Sequence, residues 1–257
     1  MSNLNELEKN VPYFVEELKN HGLSNKNILD AAKRGQLKRM AHGLYQFNGV
    51  TLNWASLVFA LQTQKKLPFH LAGYSALSAM GMGQYVSKRN LLFTHKASHL
   101  SSLGGVFDDY KLHFIQTNFL EDVKDGLRKL DVDGYQLTIS TPERAFLECC
   151  FLVPIFLPVE DLWQLSENFK NLDWALLEKL VSLCRSQRVL RVAGYLLQTL
   201  YRDAPLGLIR KMRKKSGTYK FYLDEANKKH GRFVSDWNII VPVTWHEAGE
   251  GTNEQLP

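Results

Sequence analysis

Residues 14–47 read FVEELKNHGLSNKNILDAAKRGQLKRMAHGLYQF, and the reading of this stretch decides the fold of the N-terminal end. A first helix runs from about Phe14 to Asn20 and ends at His21-Gly22, because glycine takes the left-handed backbone that closes a helix. Ser24 offers a side-chain oxygen to cap a second helix, which continues through Lys33 and stops at Gly35. Residues 37–40 and 44–47 are two short extended runs, and Ala41-His42-Gly43 between them suits a hairpin turn. Helix, glycine turn, second helix and hairpin make the outline of a winged helix-turn-helix, whose second helix enters the major groove of DNA.

On that second helix Ile28 and Ala32 are one turn apart and are expected to face inward, with Asn25, Lys26, Asn27, Asp30, Lys33 and Arg34 outward. Asn25, Lys26 and Asn27, beside the cap Ser24, are residue types that reach base edges. Lys33 and Arg34, with Lys38 and Arg39 on the hairpin, are better placed for phosphates. His42 in the turn is either a solvated turn residue or a further phosphate contact.

Charge patterning agrees with a polyanionic partner. Residues 19–47 hold six basic side chains against the single acid Asp30, and residues 205–232 hold nine against Asp224 and Glu225. Residues 51–200 are nearly balanced, with fifteen bases and fourteen acids, so the net charge of +6 collects near the two ends. A chain of 257 residues supports one or two domains with a sizeable core. No apolar run approaches a membrane span and the first residues are too polar for a signal peptide, which sets the expectation of a cytoplasmic protein without membrane contact. Cys149, Cys150 and Cys184 have no metal spacing, and buried reduced thiols are expected.

The remainder of the chain reads as a larger mixed α/β region. Residues up to Pro12 form a polar helical lead-in, with Leu4, Leu7 and Val11 at helical steps. Asn48-Gly49-Val50 marks a junction, dividing residues 1–49 from residues 50–246, and the polar tail 247–257 is expected to be disordered. Asn53 caps a helix carrying Trp54, Leu57, Val58 and Leu61 on one stripe. A small-residue helix is expected over 70–80, ended by Gly81 and Gly83, and strands over 90–95, 110–116 and 134–140. Residues 98–109, with Gly104-Gly105, read as a loop. Ser140-Thr141-Pro142-Glu143-Arg144 is a helix start, with hydroxyl cap, first-turn proline and early acid. Three more helices are expected, near 159–169, after the cap Asp173, and over 188–200, and then strands at 219–223 and 236–241. The basic run Arg210, Lys211, Arg213, Lys214 and Lys215 is read either as a solvated face or as a contact for nucleic acid or a protein.

Catalytic readings are weak. Glu143 is accounted for by helix capping and an ion pair. His95, His99 and His113 lack a companion carboxylate or cysteine at ligand spacing. The acid-x-lysine pairs at Asp109 and Asp122 lack the second carboxylate that a metal-dependent nuclease requires. No phosphate-binding glycine loop or nucleophile elbow is present, so neither an enzyme nor a bound cofactor or metal is expected.

Several segments taken in order resemble the AbiEi-type antitoxins of type IV toxin–antitoxin, or abortive infection, systems. They are Ala31 to Arg39 with Gly43-Leu44-Tyr45, the Ser/Ala-rich residues 71–80, and Ser140-Thr141-Pro142-Glu143-Arg144-Ala145. Arg188, Arg191 and Gly194-Tyr195-Leu196-Leu197 follow, then Gly231-Arg232-Phe233 and Trp237-Asn238-Ile239-Ile240-Val241-Pro242. The resemblance covers roughly residues 14–242 and implies a winged-helix domain that represses its own operon, binding double-stranded operator DNA as two copies on an inverted repeat. It also implies a larger α/β domain that counteracts a toxin resembling a nucleotidyltransferase. The alternatives are an orphan winged-helix regulator, a protein-interaction module and a metal-dependent nuclease.

Overall fold

The structure is a computed structural model and describes residues 3–82, 89–95, 103–120, 124–169, 171–228 and 230–245. The architecture is mixed α/β, with helices and three separate sheets. The chain forms two compact units: one from Met1–Leu71, Ser87–Gln116 and Lys129–Ile139, the other from Ala72–Val86, Thr117–Arg128 and Ser140–Pro257.

The first unit begins with a 3-10 turn at Asn3–Glu6 in place of the expected lead-in helix, although Leu4, Leu7 and Val11 are all buried. Strand β1 (Tyr13–Phe14), helix α1 (Val15–Asn20), helix α2 (Asn25–Lys33), strand β2 (Leu37–Ala41) and strand β3 (Leu44–Phe47) follow. The strands make a sheet of order β1-β3-β2, antiparallel throughout. Its local causes are those expected from sequence. Gly22 closes α1 at φ +83°, Gly35 follows α2 at φ +71°, and Gly43 turns the hairpin at φ +74°. Leu18, Leu23, Ile28, Leu37 and Leu44 fill the core beneath. Ala31 is buried and Ala32 only half-buried, so the inward face of α2 is Ile28–Ala31, one residue away from the expected pair.

Helix α3 (Trp54–Thr63) is capped by Asn53, whose Oδ1 accepts the Ser56 N–H at 2.8 Å. Strand β4 (Phe69–Leu71) occupies the start of the expected small-residue helix, because all three of its side chains are buried between neighbouring strands. The five-stranded sheet has order β6-β5-β4-β8-β7, from β5 (Asn90–Thr94), β6 (Leu112–Gln116), β7 (Leu127–Val132) and β8 (Tyr135–Ser140). It is mixed: β4 runs antiparallel to β5 and parallel to β8, and β5 runs parallel to β6. The helix α5 (Gly104–Asp109) takes the second half of the expected loop 98–109, of which residues 98–102 lie outside the described residues.

The second unit is mainly helical: α4 (Gly73–Ala79), α6 (Pro142–Leu152), α7 (Val159–Ser166), α8 (Trp174–Leu183), α9 (Gln187–Leu200) and α10 (Leu206–Lys215). Helix α6 is buried almost all round and packs against α4, α8 and α9. The approach to α4 is close. A Cβ on Gly73 would stand 2.7 Å from Leu152 Cδ1, at a backbone φ of +52° that already favours glycine. A small sheet of order β10-β11-β9 completes the unit, from β9 (Phe221–Tyr222), β10 (Arg232–Val234) and β11 (Ile239–Val241). The tail 247–257 and Gly83 lie outside the described residues.

Candidate nucleic-acid interface

Helix α2 presents its charges because its other side is anchored. The Ser24 Oγ accepts the Asn27 N–H at 3.2 Å, a cap of about 1 kcal/mol, and its own hydroxyl proton is left to donate elsewhere. With Ile28 and Ala31 inward, the helical repeat places Lys26 and Lys33 outermost, flanked by Leu29 on one shoulder and Asp30 on the other. Asn25, Lys26, Asn27, Lys33 and Arg34 are all exposed. Among the described residues Lys26, Lys33, Arg34 and Lys38 have no ion-pair partner, so their charge faces solvent. Leu29, 54% exposed on the shoulder of this face, was not singled out by sequence; its position one step off the Ile28–Ala31 side is the signal that reveals it.

The hairpin divides its two bases. Adjacent strand residues point to opposite faces, so Lys38 and Arg39 cannot act side by side. Lys38 pairs across with Gln46, and Arg39 with Tyr45, before a register shift between Arg39 and Ala41. Arg39 is held locally: its Nε donates to the Ala41 carbonyl at 3.2 Å, and its Nη2 lies 3.0 Å from His42 Nδ1. Beside them opens a cleft of about 480 Å³, lined by Phe14, Glu16, Leu29, Arg39, His42 and Lys65 among others. Its edge is tied by Gln64, whose side chain accepts the Phe14 N–H and donates to the Pro12 carbonyl, both at 2.9 Å, and by a Lys65–Glu16 ion pair at 2.9 Å.

The second basic cluster is different in kind. It lies on α10, with Leu208, Ile209 and Met212 buried. Lys211 pairs with Glu178 at 2.9 Å, and Arg213 pairs with Asp236 at 2.8 Å and lies over the Trp237 ring. Lys215 donates to the Val181 and Ser182 carbonyls at the end of α8. Arg210 and Lys214 are exposed, with no ion-pair partner among the described residues.

The motif residues farther along the chain serve packing. Glu148, fully buried, pairs with Arg144 at 3.0 Å and accepts the Ser140 hydroxyl and the Gly73 N–H at 2.7 and 2.8 Å. Arg144 also donates to the Asp125 carbonyl. Glu143 accepts the Asp173 N–H at 2.9 Å, just ahead of α8. The expected hydroxyl cap at Thr141 is not made; Thr141 Oγ1 is buried with no hydrogen-bond partner among the described residues, while the Thr141 backbone N–H donates to the Gly126 carbonyl. Arg191 reaches the carbonyls of Ser216, Tyr219 and Asn238.

Burial pushes the thiols of Cys149, Cys150 and Cys184 up, the last to about 11, and all three are free. Burial, and then the Arg89 charge, hold the His113 imidazole below its ordinary value. No group of three or more His, Cys, Asp or Glu side chains is placed to hold a metal among the described residues. His99 and Asp122 lie outside those residues. No helix among them is long and apolar enough to cross a membrane.

The structure thus sets an exposed basic face on α2 within a mixed α/β chain. The chain belongs to the AbiEi antitoxin family: the model of the transcriptional regulator, AbiEi antitoxin N-terminal domain, matches residues 2–88, and that of the transcriptional regulator, AbiEi antitoxin, type IV TA system, matches residues 92–242. These domains are regulatory and antitoxin modules, not enzymes. The crystal structure of the RV2827C protein from Mycobacterium tuberculosis is similar in fold, with a TM-score of 0.59 over 93% of this chain and 89% of that one, at 16% identity. No curated protein matches the sequence.

Proposed function

We propose that this antitoxin is a DNA-binding autorepressor whose residues 14–47 form a winged helix-turn-helix, with α2 lying in the major groove of the operator of its own gene. The observation that carries the reading is the outward face of α2, where Lys26 and Lys33 stand unpaired and exposed around a helix anchored by Ser24, Ile28 and Ala31. Asn25, Lys26 and Asn27 address base edges, while Lys33, Arg34 and Lys38 neutralise phosphates; Arg39 and His42 act as one hydrogen-bonded unit at the hairpin tip. Residues 1–49 supply DNA reading and residues 50–246 counteract a nucleotidyltransferase-like toxin in the cytoplasm. Two copies bind an inverted repeat.

Fluorescence anisotropy with the duplex upstream of the gene, titrated with salt, tests the DNA-binding half. Each phosphate contact contributes about 0.9 to the slope of log affinity against log salt. Lys33→Ala with Lys38→Ala should therefore flatten that slope by about 1.8, whereas Lys211→Ala, which removes an internally paired base, should leave it unchanged. Equal slopes for wild type and the Lys33/Lys38 variant would remove these residues from the interface. The toxin half is tested by co-expressing the neighbouring reading frame with and without this protein and following growth.

A further inference from the structure

The small sheet of the second unit carries a row of side chains that the regulator reading leaves unused. Tyr222 on β9 pairs with Ile240 on β11, and Ile240 pairs with Phe233 on β10. Residues paired directly across strands project to the same face, so Tyr222, Ile240 and Phe233 form one line spanning all three strands, roughly 10 Å from first ring to last. The row beside it, Phe221, Ile239 and Val234, faces the other way, and Arg188 lies over Phe221 there at 5.3 Å.

Along this row Phe233 is 42% exposed and Tyr222 half-buried, with the buried Ile240 forming an apolar floor between the rings. A lysine stands over each ring: Lys220 Nζ is 4.5 Å from the Phe233 centroid, and Lys228 Nζ is 5.4 Å from that of Tyr222.

We infer that this face is a second nucleic-acid site, distinct from α2, which takes single-stranded nucleic acid by stacking bases on Tyr222 and Phe233 while Lys220 and Lys228 meet the phosphates. Aromatic faces beside cations are the means by which sheets hold single strands without reading a fixed sequence. The local charge agrees: Lys220 and Lys228 are exposed beside the rings, and Glu225 lies 3.8 Å from Lys228, too far for a close hydrogen-bonded pair. A duplex does not fit this chemistry, because its base faces are already stacked on one another.

The test is anisotropy of labelled oligo(dT) and oligo(U) strands with the full chain. Wild type should bind both, and Tyr222→Leu and Phe233→Leu, which keep apolar bulk but remove the flat ring, should each weaken binding about fivefold or more. Lys220→Ala should reduce the salt slope by about 0.7. Lys26→Ala with Lys33→Ala on α2 should leave single-strand binding unchanged while reducing duplex binding, which separates this site from the operator reading. If a leucine variant loses its unfolding transition, Lys220→Ala with Lys228→Ala, at two exposed side chains beside the rings, should weaken single-strand binding and lower its salt slope by about 1.4. Three results would overturn the inference: no binding by folded wild type, equal binding by the ring variants, or loss of single-strand binding on changing α2 alone. A fourth, in which the ring variants bind strands normally but no longer neutralise the toxin, would assign the face to a protein partner instead.

Discussion

The arginines and lysines of α2 and those of the second unit are the same residue types put to opposite uses. Lys26, Lys33 and Arg34 stand on an exposed surface with no partner among the described residues. Arg144, 2% exposed, is spent on Glu148 and the Asp125 carbonyl, and Arg191 on three backbone carbonyls. Even on α10, where the sequence reads as a basic run, Lys211, Arg213 and Lys215 are tied to the protein's own acids and carbonyls. Positive charge is thus a poor guide to a ligand until its partners are counted. A charge with a buried partner is structural, and removing it should cost stability; a charge without one should cost affinity alone.

The strongest way to break this distinction is Glu148→Leu. It would take the Glu148 carboxylate away from the buried Arg144 guanidinium, and from the Gly73 N–H and Ser140 hydroxyl that donate to it. A loss of about 3–5 kcal/mol is expected in urea unfolding. The double variant Arg144→Leu with Glu148→Leu should be less damaged than the single one, because the buried guanidinium leaves together with the carboxylate it pairs with. If Glu148→Leu instead unfolds like wild type and weakens operator binding, the assignment of this motif to structure is wrong.

A smaller effect of the same kind is expected at Gly194 on α9. A Cβ there would meet the Trp237 ring at 2.1 Å, and that ring is held by the Gln198 side chain accepting its N–H at 2.9 Å and by Arg213 above it. Gly194→Ala should cost about 1–3 kcal/mol through overpacking, read as a lower melting temperature. Adding Trp237→Leu should make the pair non-additive, because the clash that the alanine creates is then gone.

What sequence reveals follows the same division between local and distant causes. Ser24, Asn53 and Asp173 were legible as caps, and Gly22, Gly35 and Gly43 as turns, because each acts within a few residues of itself. Strand β4 was not legible: three buried residues followed by glycine, serine and alanine show no alternation, and only the neighbouring strands make them a strand. Strand β7, whose residues LRKLDV look too polar, fails for a related reason, since half of its side chains are exposed. Thr141 misled in the other direction, having the right residue type for a cap while its hydroxyl makes no cap hydrogen bond in the fold. In the candidate interface, the exposed bases were legible from local charge, whereas the Arg39–His42 contact and the split between Lys38 and Arg39 depend on the hairpin's register. The aromatic row is invisible in sequence because Tyr222, Ile240 and Phe233 come together only through pairing.

The finest test concerns Lys65, a base near the interface that does have an acidic partner. Its ion pair with Glu16 is 32% and 68% exposed on the two sides, so solvent screens it and its worth is below about 1 kcal/mol. The hydrogen bond from Lys65 is the largest cause holding the Glu16 carboxyl below its ordinary value of 4.5. A carboxyl depressed in the folded state stabilises above its unfolded value and loses that contribution as pH falls through the folded one. Glu16→Gln should therefore be slightly less stable than wild type from neutral pH down to about 4.5, with the difference closing below that and shrinking at high salt. Lys65→Met should behave otherwise, because Lys65 also lies 4.7 Å from the Phe14 ring centroid, a contact that does not titrate in this range. Its deficit should persist into acid, and chemical unfolding of both variants across pH 3–7 reads the two contributions apart. If both deficits vanish together in acid, the ring contact contributes nothing, and Lys65 joins the bases whose only use is at the surface.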